Sequence, residues 1–259
     1  IQNHLWSGVE NLAYFRQTQK SRQVRTMFDR LSHQYDFLNR MITFGFDQIW
    51  RRRVVRLAML PTGGRLLDLG AGTGDIAFAA AQRHPAVRVT AADFSLGMMK
   101  KGRIRPGGRL VQWCSADALE LPFPDETFDA VTSGYLIRNV VNPVRAFEEQ
   151  LRVVKPGVVV VCLETSPPKK NLLQPLILFH FRVIIPLLGR IIGGNKAAYT
   201  YLPDTTRGFM PPEQLTATMK NAGLESVTSH LFMLGTMTIH QGRRPERNQC
   251  GDKNADFRL

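Results

Sequence analysis

Apolar positions along this 259-residue chain recur with two different periods. From Val24 to Met59 they fall every three or four residues, through Met27, Phe28, Leu31, Tyr35, Leu38 and Met41, which predicts helix. Thr43-Phe44-Gly45-Phe46-Asp47 breaks the pattern, and Gln48 to Met59 reads as a basic amphipathic helix stopped by Pro61 and Gly63-Gly64. From Arg65 the pattern changes to short apolar runs. Leu66-Leu67-Asp68-Leu69 reads as a buried strand, Ile76 to Ala81 as the helix after it, and Val87 to Ala92 as a second strand ending at Asp93. A third strand is expected to end near Asp117 and a fourth to begin at Phe128. Asn142 caps the next helix, with Pro143 at its first position, running to Val154 and stopping at Lys155-Pro156-Gly157. Val158 to Leu163 is apolar throughout, as a fully buried fifth strand should be. After an insertion, Pro211-Pro212-Glu213 starts a helix ended by Gly223, and two antiparallel strands near Ser226–Leu234 and Thr236–Gly242 close the sheet. Strands alternating with helices imply one α/β domain over 24–242, a doubly wound, mostly parallel seven-stranded sheet. Residues 24–64 would form a helical N-terminal lid and 165–209 an apolar insertion after strand five. Residues 1–23 are expected to be poorly ordered and 243–259 to form a disordered tail.

The turn after the first strand, Gly70-Ala71-Gly72-Thr73-Gly74-Asp75, is where chemistry enters. Glycines at alternate positions let backbone approach a ligand, since no Cβ intervenes. The spacing is GxGxG rather than the GxGxxG of dinucleotide binders, and Asp75 occupies the helix start where a pyrophosphate would otherwise sit. Asp93, at the carboxyl end of the neighbouring strand, can accept both hydroxyls of a ribose. Asp117 is placed to accept from an adenine amino group, with the Ala118 N–H offered to a ring nitrogen. Loop spacing and Asp117 together disfavour a nicotinamide-linked reductase. This ordered set resembles the class I S-adenosylmethionine (SAM)-dependent methyltransferases. The resemblance implies SAM as cofactor, held by Asp68, Gly70, Gly72, Thr73, Gly74, Asp93, Phe94, Asp117, Ala118 and Gly134, with no metal site.

The formal charge of +13 is concentrated near the start, where residues 1–65 carry eleven Lys or Arg against four acids. Such a balance suits RNA, DNA, an anionic membrane or simply a solvated surface. An RNA methyltransferase would need a substrate signature such as Asn/Asp-Pro-Pro-Tyr/Phe or a positioned catalytic Cys, and the chain has neither, so no nucleic-acid partner is expected. Cys114 and Cys162 sit in apolar strands and Cys250 in the polar tail, which implies core filling in a reducing compartment. The insertion, Thr165 to Phe209, is aliphatic from Leu172 to Ile192 apart from scattered breaks. Arg182 at its centre would cost roughly 2.5–3.5 kcal/mol in a membrane span, and Pro175 and Pro186 interrupt helix, so a true span is rejected. Five basic residues and no acid between Thr165 and Pro203 suit an element lying in a membrane interface or around a lipid. A helical lid packed on the core is the alternative. A chain that opens on Ile1 reads as lacking its start, so a targeting segment would be out of view.

Further motifs narrow the resemblance to the ubiquinone/menaquinone biosynthesis C-methyltransferases. Met27-Phe28-Asp29-Arg30, Tyr35-Asp36-Phe37-Leu38-Asn39-Arg40, Arg138-Asn139-Val140, Arg152-Val153-Val154-Lys155-Pro156-Gly157 and Tyr199-Thr200-Tyr201-Leu202 stand in the family's order. Gly134 stands where the family often has a ligand-contacting serine, and Gly134-Tyr135 is similar to the phylloquinone branch, whereas the Tyr199-Thr200-Tyr201 region is closer to the bacterial menaquinone branch. The resemblance implies C-methylation of a prenylated quinol ring, demethylmenaquinol to menaquinol, or the same reaction on a ubiquinone-pathway benzoquinol or a phylloquinone precursor. It also implies a cytoplasmic protein, peripheral at an anionic inner membrane face (organellar if a targeting segment precedes Ile1), and leaves room for a homodimer or for a non-catalytic SAM- or lipid-binding partner of a quinone-synthesis assembly. Loss of a phenolic proton makes the ortho carbon a stronger nucleophile, so the enzyme must orient the ring and stabilise charge on its oxygen. Arg138 suits the second task, being always protonated and unable to act as a base. Asn139, Asp36 and Tyr201 complete the expected catalytic set. Asp36, Asn139, Tyr199 and His240 are candidates for the base, with a structural hydrogen bond the simpler role for His240 and aromatic packing an equal one for Tyr201.

Overall fold

A computed structural model describes residues 35–168, 174–184 and 208–247, with a few isolated positions besides. The opening segment, most of the second half of the insertion and the last twelve residues lie outside the described residues, and with them the expectations for 1–23, Tyr199 and Tyr201.

Among the described residues, α1 (Tyr35–Ile42) and α2 (Phe46–Leu57) precede the sheet. The break between them is tighter than the sequence suggests: Phe44 and Gly45 take left-handed backbone, and Phe46 and Asp47 already belong to α2. Gly45 tolerates that conformation without strain. Then follow β1 (Arg65–Leu69), α3 (Asp75–Arg83), β2 (Arg88–Asp93), α4 (Leu96–Ile104), β3 (Val111–Ser115), β4 (Phe128–Gly134), α5 (Pro143–Val153) and β5 (Val154–Thr165). Beyond the insertion come α7 (Pro212–Asn221), β6 (Glu225–Phe232) and β7 (Met237–Arg243); α6 (Gln174–Phe179) lies within it and continues as one π-helical turn over His180–Ile184. Among the described residues no helix is long and apolar enough to cross a membrane.

The strands form one seven-stranded sheet in the order β3-β2-β1-β4-β5-β7-β6, with β7 antiparallel to both neighbours and the rest parallel. The chain steps outward from β1 to β3 and then returns to β4, so the order reverses between β1 and β4. A crevice opens at such a switch point, outside the carboxyl ends of the strands.

Side chains of β5 alternate between two cores. Val159, Val161 and Leu163 pack with Trp50, Val54, Ile76 and Phe78 of α2 and α3, while Val160 and Cys162 pack with Phe147, Leu215 and Met219 of α5 and α7. The pleat sends successive residues to opposite faces, and helices cover both. Asn142 caps α5 by accepting from the Arg145 N–H at 3.0 Å, with Pro143 at the first position.

Three boundaries differ from the sequence expectation. Strand β3 ends at Ser115, two residues short of Asp117, which lies in the turn beyond it. Strand β5 starts at Val154, because the Lys155-Pro156-Gly157 stop forms an irregularity within the strand rather than a loop before it; Gly157 supplies the positive φ. Arg243 closes β7, and the first tail residues are anchored: Arg244 donates to the Val154 carbonyl and pairs with Glu126 at 3.1 Å, as does Arg247 at 2.6 Å.

Candidate active site

After Leu69 the chain turns through Gly70, Gly72 and Gly74, all with positive φ. A Cβ on Gly70 would stand 2.9 Å from a Leu136 methyl and one on Gly74 2.7 Å from the Trp113 ring, so both need glycine for space as well as conformation. Asp93 fastens this loop to the next strand. Its Oδ2 accepts the Gly72 N–H and its Oδ1 the Ser95 N–H, each at 2.7 Å. The carboxylate lines the cavity where the hydroxyls of a ribose would sit, and a carboxylate is an acceptor suited to them.

Asp68 works from underneath. It is buried, accepting the Ala77 N–H and the Thr132 hydroxyl at 3.0 Å each. Burial raises its pKa to about 7, against those two hydrogen bonds and the nearby charge of Arg51. The expected cofactor residues converge: Asp68, Gly70, Gly72, Thr73, Asp93, Phe94, Asp117, Ala118 and Gly134 line one cavity of about 1070 Å³, open mouth included, with Gly74 supporting the loop behind it. Asp117 is exposed at one end and holds the Leu119 N–H at 2.9 Å. At Gly134 a Cβ would come within 2.8 Å of Ile76, so a serine there would need a shift of that side chain. Backbone donors on a glycine loop, carboxylates for hydroxyls and for cationic groups, and an apolar slot around Phe94 fit SAM.

A second cavity adjoins the first at Tyr135, which lines both. Tyr135 itself has left-handed backbone, φ 58°, a strained state for a bulky residue that persists only where its surroundings hold it. This cavity, about 1400 Å³ with its mouth, is walled by Ile42, Phe44, Trp50, Ile177, Ile184 and Met237. Its polar groups are few: Arg138, Thr165, Thr206, His180, Asn39 and Thr43, with Thr236 near the β6–β7 turn. The Thr206 hydroxyl donates to Thr165 Oγ1 at 3.2 Å. His180 packs its ring 5.7 Å from Phe44, and burial holds its imidazole below the usual range, against a hydrogen bond to Ile42 backbone.

Arg138 is buried at the inner wall. Its Nη1 donates to Glu164 Oε2 at 3.1 Å and Thr165 Oγ1 at 3.2 Å, and its guanidinium lies 5.0 Å from the Tyr135 ring centroid. Its Nε has no hydrogen-bond partner among the described residues. Glu164 is fully buried; burial pushes its carboxyl above the ordinary range and Arg138 opposes that shift.

The expected catalytic residues separate. Arg138 faces the second cavity, whereas Asn139 lines the first and donates to the Tyr135 carbonyl at 2.7 Å. Asp36 belongs to α1, with its side chain outside the described residues. His240 lines neither cavity: it is buried on β7, with Nε2 3.0 Å from the Pro212 carbonyl. This agrees with the structural hydrogen bond that was the simpler role expected for it, and sets it apart from the other candidates for the base.

Sequence reasoning missed Tyr135, Arg51, Thr165 and His180 as lining residues. For Arg51 a signal existed in the Asp47/Arg51 i,i+4 spacing, although an exposed helical pair has the same spacing. Fold and site together define a class I SAM-dependent methyltransferase. Residues 16–244 match the model of the ubiE/COQ5 methyltransferase family, and the chain belongs to that family. It is 46% identical over 219 residues to the ubiquinone/menaquinone biosynthesis C-methyltransferase UbiE of Desulfotalea psychrophila, covering 85% of this chain and 89% of that one. It is 42% identical to the demethylmenaquinone methyltransferase of Thermus thermophilus, covering 85% of this chain and all of that one. Among solved structures, the [4+2]-cyclase SpnF superposes with a TM-score of 0.65 at 20% identity, over 87% of this chain and 97% of that one. Phosphoethanolamine N-methyltransferase 2 of Haemonchus contortus, crystallised with S-adenosylhomocysteine, gives 0.61 at 17% identity, over 85% and 60%. A cyclase among these neighbours means that the fold alone does not specify the reaction.

Proposed function

We propose that this protein methylates a ring carbon of a prenylated quinol, with demethylmenaquinol as substrate and menaquinol as product. The carrying observation is the Arg138 guanidinium, its side chain buried, at the inner wall of an apolar cavity that meets the cofactor cavity at Tyr135. When bound, SAM supplies a methyl group on a cationic sulfur. The chain's own residues do the rest. Arg138, with Nε still to be partnered, donates to a quinol oxygen and stabilises the charge left when its proton departs. Glu164 and Thr165 hold the guanidinium in place, and Tyr135 sets the boundary across which the ring must meet the methyl. Apolar walls from α1, α2 and α6 exclude water and accept the start of a prenyl tail. The test is incubation with SAM and paired short-chain demethylmenaquinol and demethylated benzoquinol, following the methyl by mass spectrometry. Faster transfer to the naphthoquinol is expected; faster transfer to the benzoquinol would move the assignment to the ubiquinone pathway, and transfer to neither would remove it.

The same reading puts the protein on the inner, anionic face of a membrane, where its substrate resides. Phe44, Phe46, Ile49, Phe179, Met233 and Leu234 are exposed, and Phe44, Phe179, Met233 and Leu234 also line the second cavity. Arg52 and Arg56 are exposed on α2 beside them. Apolar side chains flanked by cations suit a lipid interface, and a second copy of the chain is the other occupant such a face could take. Sedimentation with anionic and neutral vesicles, beside light scattering without lipid, separates the two. Anionic-selective binding of a monomer supports the membrane; a dimer that ignores vesicles supports the homodimer.

A further inference from the structure

The residues around the cofactor cavity carry four carboxylates, Asp68, Asp75, Asp93 and Asp117, and among the described lining residues one cation, Arg51. SAM presents hydroxyls, an ammonium and a sulfonium, all of which suit carboxylates, and one carboxylate, which does not. We propose that Arg51 is the carboxylate subsite, its guanidinium receiving the methionyl carboxylate of the cofactor. This rests on the cofactor reading above and extends it to a helix that precedes the glycine loop.

Arg51 projects from the buried face of α2 and is 7% exposed. A buried guanidinium requires partners, since an unpaired charge in a low-dielectric site is costly. Two are present: Arg51 Nη1 lies 3.5 Å from Asp47 and is ion-paired with Asp75. Asp75 is shared, because Arg105 Nη2 holds its other oxygen at 2.6 Å. The cluster Asp47, Arg51, Asp75, Arg105 thus balances two charges of each sign before any ligand arrives. Both Arg51 contacts run from one terminal nitrogen, and a planar fork of five donors can serve a further carboxylate alongside them.

Position supports the same partner. Asp75 immediately follows Gly74, so Arg51 stands at the loop end of the cavity, whereas the adenosine-directed residues Asp93, Asp117 and Ala118 come from the turns after β2 and β3. A cofactor with its ribose at Asp93 must place its amino-acid arm toward the loop that Arg51 guards. The residue beside it, Trp50, lines the second cavity. One turn of α2 therefore faces both ligands.

The test compares two ligands by calorimetry on the whole protein. S-adenosylhomocysteine keeps the amino-acid arm, whereas 5′-methylthioadenosine keeps adenine, ribose and sulfur but has no carboxylate. Arg51→Gln should weaken the first about 10- to 100-fold, the loss of one charge-assisted hydrogen-bonded contact, and the second less than about threefold. Arg51→Lys should recover part of the first, and it carries the same ligand ratio as a test if the Gln variant does not fold. Arg105→Gln disturbs the same Asp75 cluster, and the Thr73 carbonyl and hydroxyl that Arg105 also holds, without itself lining the cavity, so it should change the ratio of the two affinities less than Arg51→Gln does. Equal losses for both ligands in the Arg51 variants would make Arg51 structural and overturn the proposal, as would no loss for either. Wild-type protein that bound neither ligand would overturn the cofactor reading itself, a result distinct from both.

Discussion

In the cofactor cavity most ligand-facing groups come from the ends of β1, β2, β3 and β4 and the turns that follow them, and many are held by backbone. Asp93 clasps two amides, Asp117 one, and the glycines offer bare main chain. The cavity beside it is assembled from α1, α2, the turn after β4, the end of β5, the insertion and the β6–β7 turn, and its walls are side chains. The first is thus a property of the sheet, stiffened by strand pairing. The second exists only when several distant segments pack together, and under the proposed function it is the region that would sense substrate size and tail length. Damage in the first should appear as lost cofactor affinity, and damage in the second as lost turnover or substrate preference.

Arg138→Ala tests that division with the largest effect. Removing one preorganised donor should lower turnover about 10²–10³-fold while SAM affinity stays near wild type. Arg138→Lys should recover only part, because a point charge lacks the planar fork. The Glu164 pairing supplies the competing outcome: if Arg138 serves only that buried carboxylate, the Ala variant will melt earlier while its folded fraction turns over normally.

Next comes Asp93→Ala, which should weaken SAM at least about tenfold by calorimetry, since two charge-assisted contacts are lost. Because Asp93 also holds the Gly72 and Ser95 amides, its melting temperature should fall too. An unchanged dissociation constant would break the ribose assignment.

Replacing Phe44 and Phe179 with Ser should raise the Michaelis constant for a long-tailed quinol several-fold, each exposed ring contributing about 1 kcal/mol or so of partial burial against the tail, and should leave a tail-less quinol nearly unaffected. Equal effects on both would assign these two rings, one from the α1–α2 turn and one from the insertion, a plain structural role.

The smallest effect concerns Asp68. Its raised pKa means that the folded protein keeps a proton the unfolded chain gives up, so stability should decline as pH rises from about 4 to about 7 and then level off. Asp68→Asn keeps an acceptor for the Ala77 N–H and should flatten that slope in melting curves taken across the range. A slope unchanged by the substitution would show that Asp68 is already ionised in the folded state.

The glycine loop, Asp93 and Asp117 were legible in the chain because they rest on local rules. A glycine at positive φ, a strand five residues long and a proline at a helix start are decided by near neighbours in sequence, and the βα repeat then brings successive strand ends together. The Arg138–Glu164 pair joins residues 26 positions apart, and nothing in either local pattern distinguishes it from a solvated arginine and a strand glutamate. Arg51 looked like one of four arginines on a basic helix, yet helix rotation against the sheet buries it while its neighbour Arg52 stays exposed. For His240 the sequence favoured a structural hydrogen bond over a base but could not name the partner, which the fold supplies as the Pro212 carbonyl. Backbone geometry and hydrophobic period are written residue by residue, so the sequence alone determined the strand order of chemistry, the cofactor loop and the family. Which side chains meet across the fold depends on the angle and depth at which helices pack, and only the tertiary structure decided that Arg138 would be buried, Arg51 turned inward and Tyr135 set between two cavities.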